Sequence, residues 1–455
     1  MKRDRIDLGK TNVSNLFRIY FFPTLFGMLS LCIVTAADGI FVGQGVGSDG
    51  LAAVNICIAP CMFLVGIGLM LGMGASVICS IHLAENNVKA ARLNMTQAII
   101  VGSLIICLFL AVSLWSPIGT AMLLGSSESL LKQVTAYMPW IFLCTLFQMW
   151  GIIGLFIVRL DGSPKYAMWC NVIPGILNVI LDYVFIFPLD MGIRGAGIAT
   201  AISCFIGGVM VLGYLAFYAR QIRFIRLKRS IKSLRLTMRN IGYQCRIGVS
   251  AFVGETTMGI LMLMGNIVFM KYLGNDGVGA FSIACYYAPF VFMIGNAIAQ
   301  SAQPIISYNY GLKENGRVVA TERIAIICAV ISGLIVMGIF ILFPKFMVGL
   351  FLGDGNTSQI AIHGLPIFSS AFVFFIFNLT TIGYFQSVEK VWPSITFALF
   401  RGLIFLVPAY LVLPGILDVA GIWLAPCCSE FLTTLSIIIY YLYGRNKKIA
   451  AMGTV

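Results

Sequence analysis

Residues 171–200 read NVIPGILNVILDYVFIFPLDMGIRGAGIAT, and the carboxylate at position 182 falls in the middle of an apolar run. An ionised side chain at the centre of a bilayer costs about 2.5 kcal/mol or more on insertion scales, so Asp182 requires partners, water or an ion on a protein-facing side of its helix. Asn178 lies one turn back, and residues four apart share a helix face, so an amide and a carboxylate point the same way. Thr200 offers a hydroxyl from the next apolar stretch. The segment between, PLDMGIRGAG, carries the proline and glycines of a chain reversal between closely packed helices.

Outward from this stretch the chain keeps the same character. Its 455 residues are 60% hydrophobic and 10% charged, which excludes a soluble globular protein. A spanning helix needs about 20 mostly apolar residues. Such runs lie near 15–42, 51–81, 93–116, 133–157, 166–187 and 196–219, then near 243–271, 278–306, 318–342, 358–385, 392–413 and 418–443. The predicted fold class is an all-α integral membrane protein with twelve transmembrane helices. Lys and Arg gather on the cytoplasmic side of membrane proteins. With the N-terminus inside, only Lys132, Arg194, Lys271 and Lys345 of the 30 basic residues fall outside, and Arg401 falls within a span. The net charge of +13 is thus a topology signal and not a nucleic-acid footprint, and both termini are placed in the cytoplasm. The first apolar run carries Asp38 and no convincing cleavage site, so it is read as a retained span and not as a secretory signal.

The chain also repeats itself. GSDGLAAVNICIAP at Gly47–Pro60 resembles GNDGVGAFSIACYYAP at Gly274–Pro289, while Leu83 of LAENN and Leu312 of LKENG, like Pro164 and Pro393, stand 229 positions apart. An even number of spans returns the chain to its starting side, so the two six-helix lobes form a parallel repeat with a path expected between them. The domains are then 1–219, a basic cytoplasmic linker over 220–239, and 240–455. Basic residues at 220, 223, 226, 229, 232, 235 and 239 predict a linker helix lying on the membrane face, with a plain charged linker as the alternative reading. The repeat does not preserve the acids: Asp38 aligns with Gly265, and Asp182 with Leu411. A carboxylate pair confined to the first half points to a specialised ion or proton site, with polar glue between helices as the alternative reading.

Other chemistry is thin. The thirteen cysteines lie in or beside apolar runs, without a zinc-type CxxC pair, and His82 and His363 are isolated. No HExxH, phosphate loop or Ser-His-Asp set is present, so no enzyme is expected and no metal beyond a possible coupling Na⁺. Arg401 and Glu430 lie deep in the last two spans and are predicted to form a structural ion pair within the second lobe. The 21 Met and 34 Phe suit an adaptable apolar cavity that attracts organic cations.

Five motifs in order carry a family resemblance: DGIFVGQGVGSDGLAAVNI, RLDGSPKYAM, NVILDYVFIF followed by GAGIATAIS, AQPIISYNYG, and GYFQSVEK. Together they cover nearly the whole chain and resemble the multidrug and toxic compound extrusion family, in its MepA-type bacterial branch. The resemblance implies an exporter of small molecules, organic cations among them, in the bacterial cytoplasmic membrane. Its lobes would open alternately as H⁺ or Na⁺ flows inward, with no other cofactor and with a monomer as the working unit. It also implies that Asp38, Asn178, Asp182 and Thr200 form the cation site. Glu255 matches a seventh-helix acid of other branches, but the tenth span has no acid to pair with it, so its role is open between substrate attraction, coupling and simple helix-end solvation. A lipid-linked saccharide flippase of the wider superfamily is the alternative, and it would be expected to line its spans with several cations.

Overall fold

The computed structural model describes residues 6–452 apart from 229, 352 and 354, and all of the regular elements among the described residues are helical. The first half comprises α1 (Val13–Gly45), α2 (Ser48–Ala84), α3 (Val88–Trp115), a short α4 (Pro117–Leu123), α5 (Leu131–Leu160), α6 (Pro164–Ile186) and α7 (Gly192–Gly213). The second comprises α8 (Ile231–Gly311), α9 (Asn315–Leu342), α10 (Pro344–Gly349), α11 (Asn356–Ser369), α12 (Ala371–Ser387), α13 (Val391–Leu399) and α14 (Leu406–Met452). Two of these are folded spans. Helix α8 breaks at Gly274 and α14 at Asp418, both at positive φ, while α11 and α12 form one span bent by 41°. Counted in this way the described residues give twelve spans, as expected.

Local chemistry sets the ends. Asn12, Asn87 and Ser230 accept from the amides of Ser14, Ala90 and Ser233 to cap α1, α3 and α8. Pro117, Pro164 and Pro344 open α4, α6 and α10, where a missing N–H costs nothing. The repeat is visible in the backbone too: Gly47 and Gly274, at matching places in GSDG and GNDG, have φ of 89° and 61°, a conformation that favours glycine. Asp276 beside the second turn accepts from Asn356 Nδ2 at 2.7 Å and Thr357 Oγ1 at 2.6 Å, which holds its carboxyl below the usual range. Along α3, Leu104, Leu108 and Val112 share one exposed face, each more than 60% accessible. Water would penalise such a stripe and lipid would not.

By packing, the chain forms two units. The first holds residues 1–252, 300–321 and 387–389, and the second holds 253–299, 322–386 and 390–455. In the first, α5 packs against α2 and α7, and α6 against α1 and α7, around Val42, Cys57, Tyr137, Met138, Phe142 and Ala196. The ends of α8 belong to this unit and meet α2 at very close range. A Cβ built on Gly74 would collide with the carbonyl oxygen of Gln244, and one on Gly248 with that of Met70. Buried amides and hydroxyls lie beside this crossing: Ser76 Oγ donates to Gln303 Oε1 at 2.9 Å and Gln244 Nε2 to Asn94 Oδ1 at 3.1 Å. In the second unit, Phe269, Phe281, Phe368 and Trp423 pack ring against ring.

The linker departs from the predicted helix. Residues 222–228 carry no regular structure, and helix resumes only at Ile231; Arg229 of the basic series lies outside the described residues. The reason lies outside the linker: Asp161 accepts from the backbone amides of Arg220, Gln221 and Ile222 at 2.8, 3.0 and 3.4 Å and from Tyr214 Oη at 2.9 Å, while Thr96 Oγ1 accepts from Ile225 N at 3.3 Å. These acceptors take the amides that a helix would use internally, and the burial of Ile222 secures the path. Asp161→Ala is expected to free this segment, which limited trypsin digestion would report as faster cleavage at Arg220 and Arg223. An unchanged rate would count against the anchor.

Candidate cation site in the first half

Small residues bring three helices together at the site. A Cβ on Gly175 of α6 would meet Val34 of α1 at 2.8 Å, and one on Gly207 of α7 would meet Pro174 of α6 at 3.0 Å, so α6 lies close against both neighbours. Helix α1 thereby delivers Asp38, α6 delivers Asn178 and Asp182, and α7 delivers Thr200. Asp182 is fully buried and Asn178 nearly so. Asn178 Nδ2 faces Thr200 Oγ1 at 3.4 Å, and Thr200 Oγ1 donates to the Ala196 carbonyl at 3.0 Å. Asp38 and Asp182 lie close enough to interact electrostatically, and Asn178 stands one turn from Asp182 on the same helix.

The electrostatics of this cluster are incomplete. Both oxygens of Asp182, and Oδ1 of Asp38, are buried without a donor. Two like charges 4 Å apart repel by about 4 kcal/mol at an effective dielectric of 20, before any desolvation cost. A proton shared between the acids removes one charge and supplies the missing donor. A monovalent cation could do the same work with the amide and hydroxyl oxygens nearby, since hard cations take several oxygen ligands. Among the described residues no three His, Cys, Asp or Glu side chains cluster as a metal site.

Sequence reasoning did not single out Tyr137, a buried residue of α5 close enough to Asp38 to interact electrostatically. As one of 17 tyrosines in a largely apolar chain, it carries no local signal. The other candidates lie in the second unit. Glu255 on α8 is half-buried and forms no ion pair with a described residue. Arg401 and Glu430 meet: Arg401 Nη2 and Nε donate to Glu430 Oε1 at 2.8 and 3.0 Å, both side chains are buried, and the guanidinium lies 4.3 Å from the Phe375 ring centroid. Asn378, also not anticipated, donates to Glu430 Oε2 at 2.8 Å and accepts from Thr434 Oγ1 at 2.9 Å. Arg401 sits in a π-helical turn, Phe400–Ile404, and its own carbonyl accepts from Ser429 Oγ at 2.7 Å.

Comparisons with known proteins agree with this architecture. The chain is similar to the Multidrug export protein MepA of Staphylococcus saprophyticus, 22% identical over 425 residues covering 93% of this chain and 92% of that one. The MepA of Staphylococcus aureus matches to the same identity and extent. Among solved structures, an outward-facing conformation of a multidrug resistance MATE family transporter of the MOP superfamily superposes with a TM-score of 0.88 at 21% identity over the whole of both chains. The Vibrio cholerae MATE transporter VcmN, solved as a point mutant, gives 0.87 at 20% identity over 96% of this chain and 98% of that one. The family model MatE matches twice, over residues 23–184 and 251–411, once in each half of the repeat. A twelve-span helical chain whose two halves each match that model belongs to the multidrug and toxic compound extrusion (MatE) family.

Proposed function

We propose that this protein exports small organic compounds, cationic ones among them, from the cytoplasm in exchange for inward-moving protons, with Asp38 and Asp182 as the coupling pair. The observation that carries the reading is the set of three buried carboxylate oxygens without a donor, on two acids close enough to interact electrostatically. A shared proton removes one charge and supplies the missing donor without calling on further ligands, which is why the proton is preferred to Na⁺. The names of the relatives support export of drugs.

Neutralising the pair changes which packing of α1 against α6 is favoured, and Pro23 gives α1 a place to bend. A driving ion that distinguishes two conformations shifts their populations by that difference in affinity. One charge moving across 100 mV releases about 2.3 kcal/mol, enough for roughly a fifty-fold substrate gradient at tenfold per 1.4 kcal/mol. The flippase alternative finds less support, because Arg401 is already engaged by Glu430 and is not available to a phosphate.

The test is ethidium transport by purified protein in sealed vesicles. An imposed pH gradient is expected to drive it in sodium-free buffer, with counter-movement of protons. Transport that follows a Na⁺ gradient and ignores pH would replace the proton by Na⁺. No transport under either gradient would remove the antiport reading.

A further inference from the structure

Two thiols meet inside the first packed unit. The Cys144 thiol of α5 donates to Cys204 Sγ of α7 at 2.8 Å, so the two sulfurs are in contact. Packing on either side fixes that meeting. A Cβ on Gly197 would stand 3.1 Å from the Tyr137 ring, and one on Gly208 would stand 2.9 Å from the Phe147 carbonyl oxygen. Facing residues along this crossing are thus sixty or sixty-one positions apart, and Cys144 and Cys204 fall between the two close approaches at a separation of sixty. The cysteines lie thirteen and twelve residues beyond the first residues of α5 and α7. At 1.5 Å per residue that is about 18–20 Å along each helix, deep in a hydrocarbon layer about 30 Å thick. Cys144 is buried, whereas Cys204 is half-buried beside the exposed Ile202 and Phe205, which gives a lipid-soluble molecule an approach to the pair.

We propose that Cys144 and Cys204 are a dithiol binding site for neutral, lipid-soluble arsenic(III) compounds, organic arsenoxides in particular. Number, spacing, charge and depth select this chemistry together. Among the described residues no third His, Cys, Asp or Glu joins the two sulfurs, so an ion that takes four ligands finds too few. A two-coordinate ion such as Hg(II) holds its sulfurs on opposite sides, whereas pyramidal arsenic holds them side by side, as they stand between α5 and α7. A monovalent soft ion on two thiolates leaves a negative charge, which an apolar interior penalises; arsenic(III) with one organic group and two thiolates is neutral. Exchange with a water-soluble disulfide starts from a thiolate, which the same interior disfavours. An arsenoxide brings its own base. Its oxygen takes both thiol protons and leaves as water, two arsenic–sulfur bonds replace the bonds to oxygen, and arsenic stays trivalent. The bridge ties α5 to α7, one turn along α7 from Thr200 and two turns along α5 from Tyr137. Cys57 and Cys61, four apart on α2, are the rival pair, but both belong to one helix.

The experiment treats the purified, reduced full-length protein with phenylarsine oxide, passes it through gel filtration in excess glutathione, and counts arsenic per chain by elemental mass spectrometry. Glutathione, a monothiol, strips arsenic from single cysteines, while a chelate of two sulfurs survives it. The parent protein is expected to retain arsenic and to release it to the dithiol 2,3-dimercaptopropanol. Cys144→Ser and Cys204→Ser are each expected to lose one arsenic per chain, and Cys57→Ser to keep it. Elution at the parent's volume shows that a variant is folded. Where a serine disturbs the apolar crossing, Cys144→Ala and Cys204→Ala carry the same expectation. A parent that retains no arsenic overturns the proposal. So does equal retention by the parent and by both variants, and loss from Cys57→Ser would then place the arsenic on α2.

Discussion

Asp182→Asn is expected to fold, to reach the membrane at normal abundance and to bind substrate, yet to export drug from energised cells at a rate near background. The substitution keeps size and hydrogen-bonding capacity and removes only the ionisable group. An amide cannot be charged and discharged, so the gradient no longer distinguishes two packings of α1 against α6, and an ion that binds both states alike shifts neither. Asp38→Asn is expected to behave the same way, with the double variant little worse than either single, if the two carboxyls act as the one coupling unit proposed above. Efflux at wild-type rates from Asp182→Asn at normal abundance would end the coupling role. Absence of the variant from the membrane would favour a packing role for Asn178 and Asp182 instead.

Gly248→Val is expected to have the second largest effect, and through a different cause. The β-carbon of a residue at 248 would run into the Met70 carbonyl oxygen, and backbone cannot swing aside as a flexible side chain can. Overpacking of this sort typically costs about 1–3 kcal/mol, which at tenfold per 1.4 kcal/mol shifts a two-state ratio by roughly 5- to 150-fold. The loss falls on the seam where α8 crosses α2 and where Ser76 meets Gln303. Labelling of a cysteine at Ser307, fully buried in this seam, is expected to speed up in the Gly248→Val background, and Gly74→Ala to act in the same direction. Equal labelling rates in parent and variant would show that the crossing is not held by this contact.

Part of the site could be read from the chain because the membrane makes polar residues costly. Asn178 and Asp182 share a helix face by spacing alone, and both are buried; Arg401 and Glu430 each needed a counter-charge at depth, and their side chains meet at 2.8 Å. The features that escaped depend on partners far away in sequence. The linker leaves the helix because Asp161 and Thr96 take its amides. Asn378 and Tyr137 look like ordinary residues until folding sets them beside Glu430 and Asp38. The break between the packed units falls inside α8, after residue 252, because Gly74 and Gly248 let two backbones touch. No periodicity announces that contact.

The grip of Asp161 on the linker amides bears on how the two repeats are held in one molecule. The strap is fastened by Asp161 and Thr96 at its start, and it runs into the first limb of α8, which packs in the same unit. Both ends of residues 222–230 are therefore secured independently of the peptide bonds between them. The junction that joins the two repeats in the gene is not what joins them in the protein. Cutting it would turn one polypeptide into two that still share the interior of the first packed unit, the arrangement that would exist if two separate half-length chains had assembled before they were ever fused.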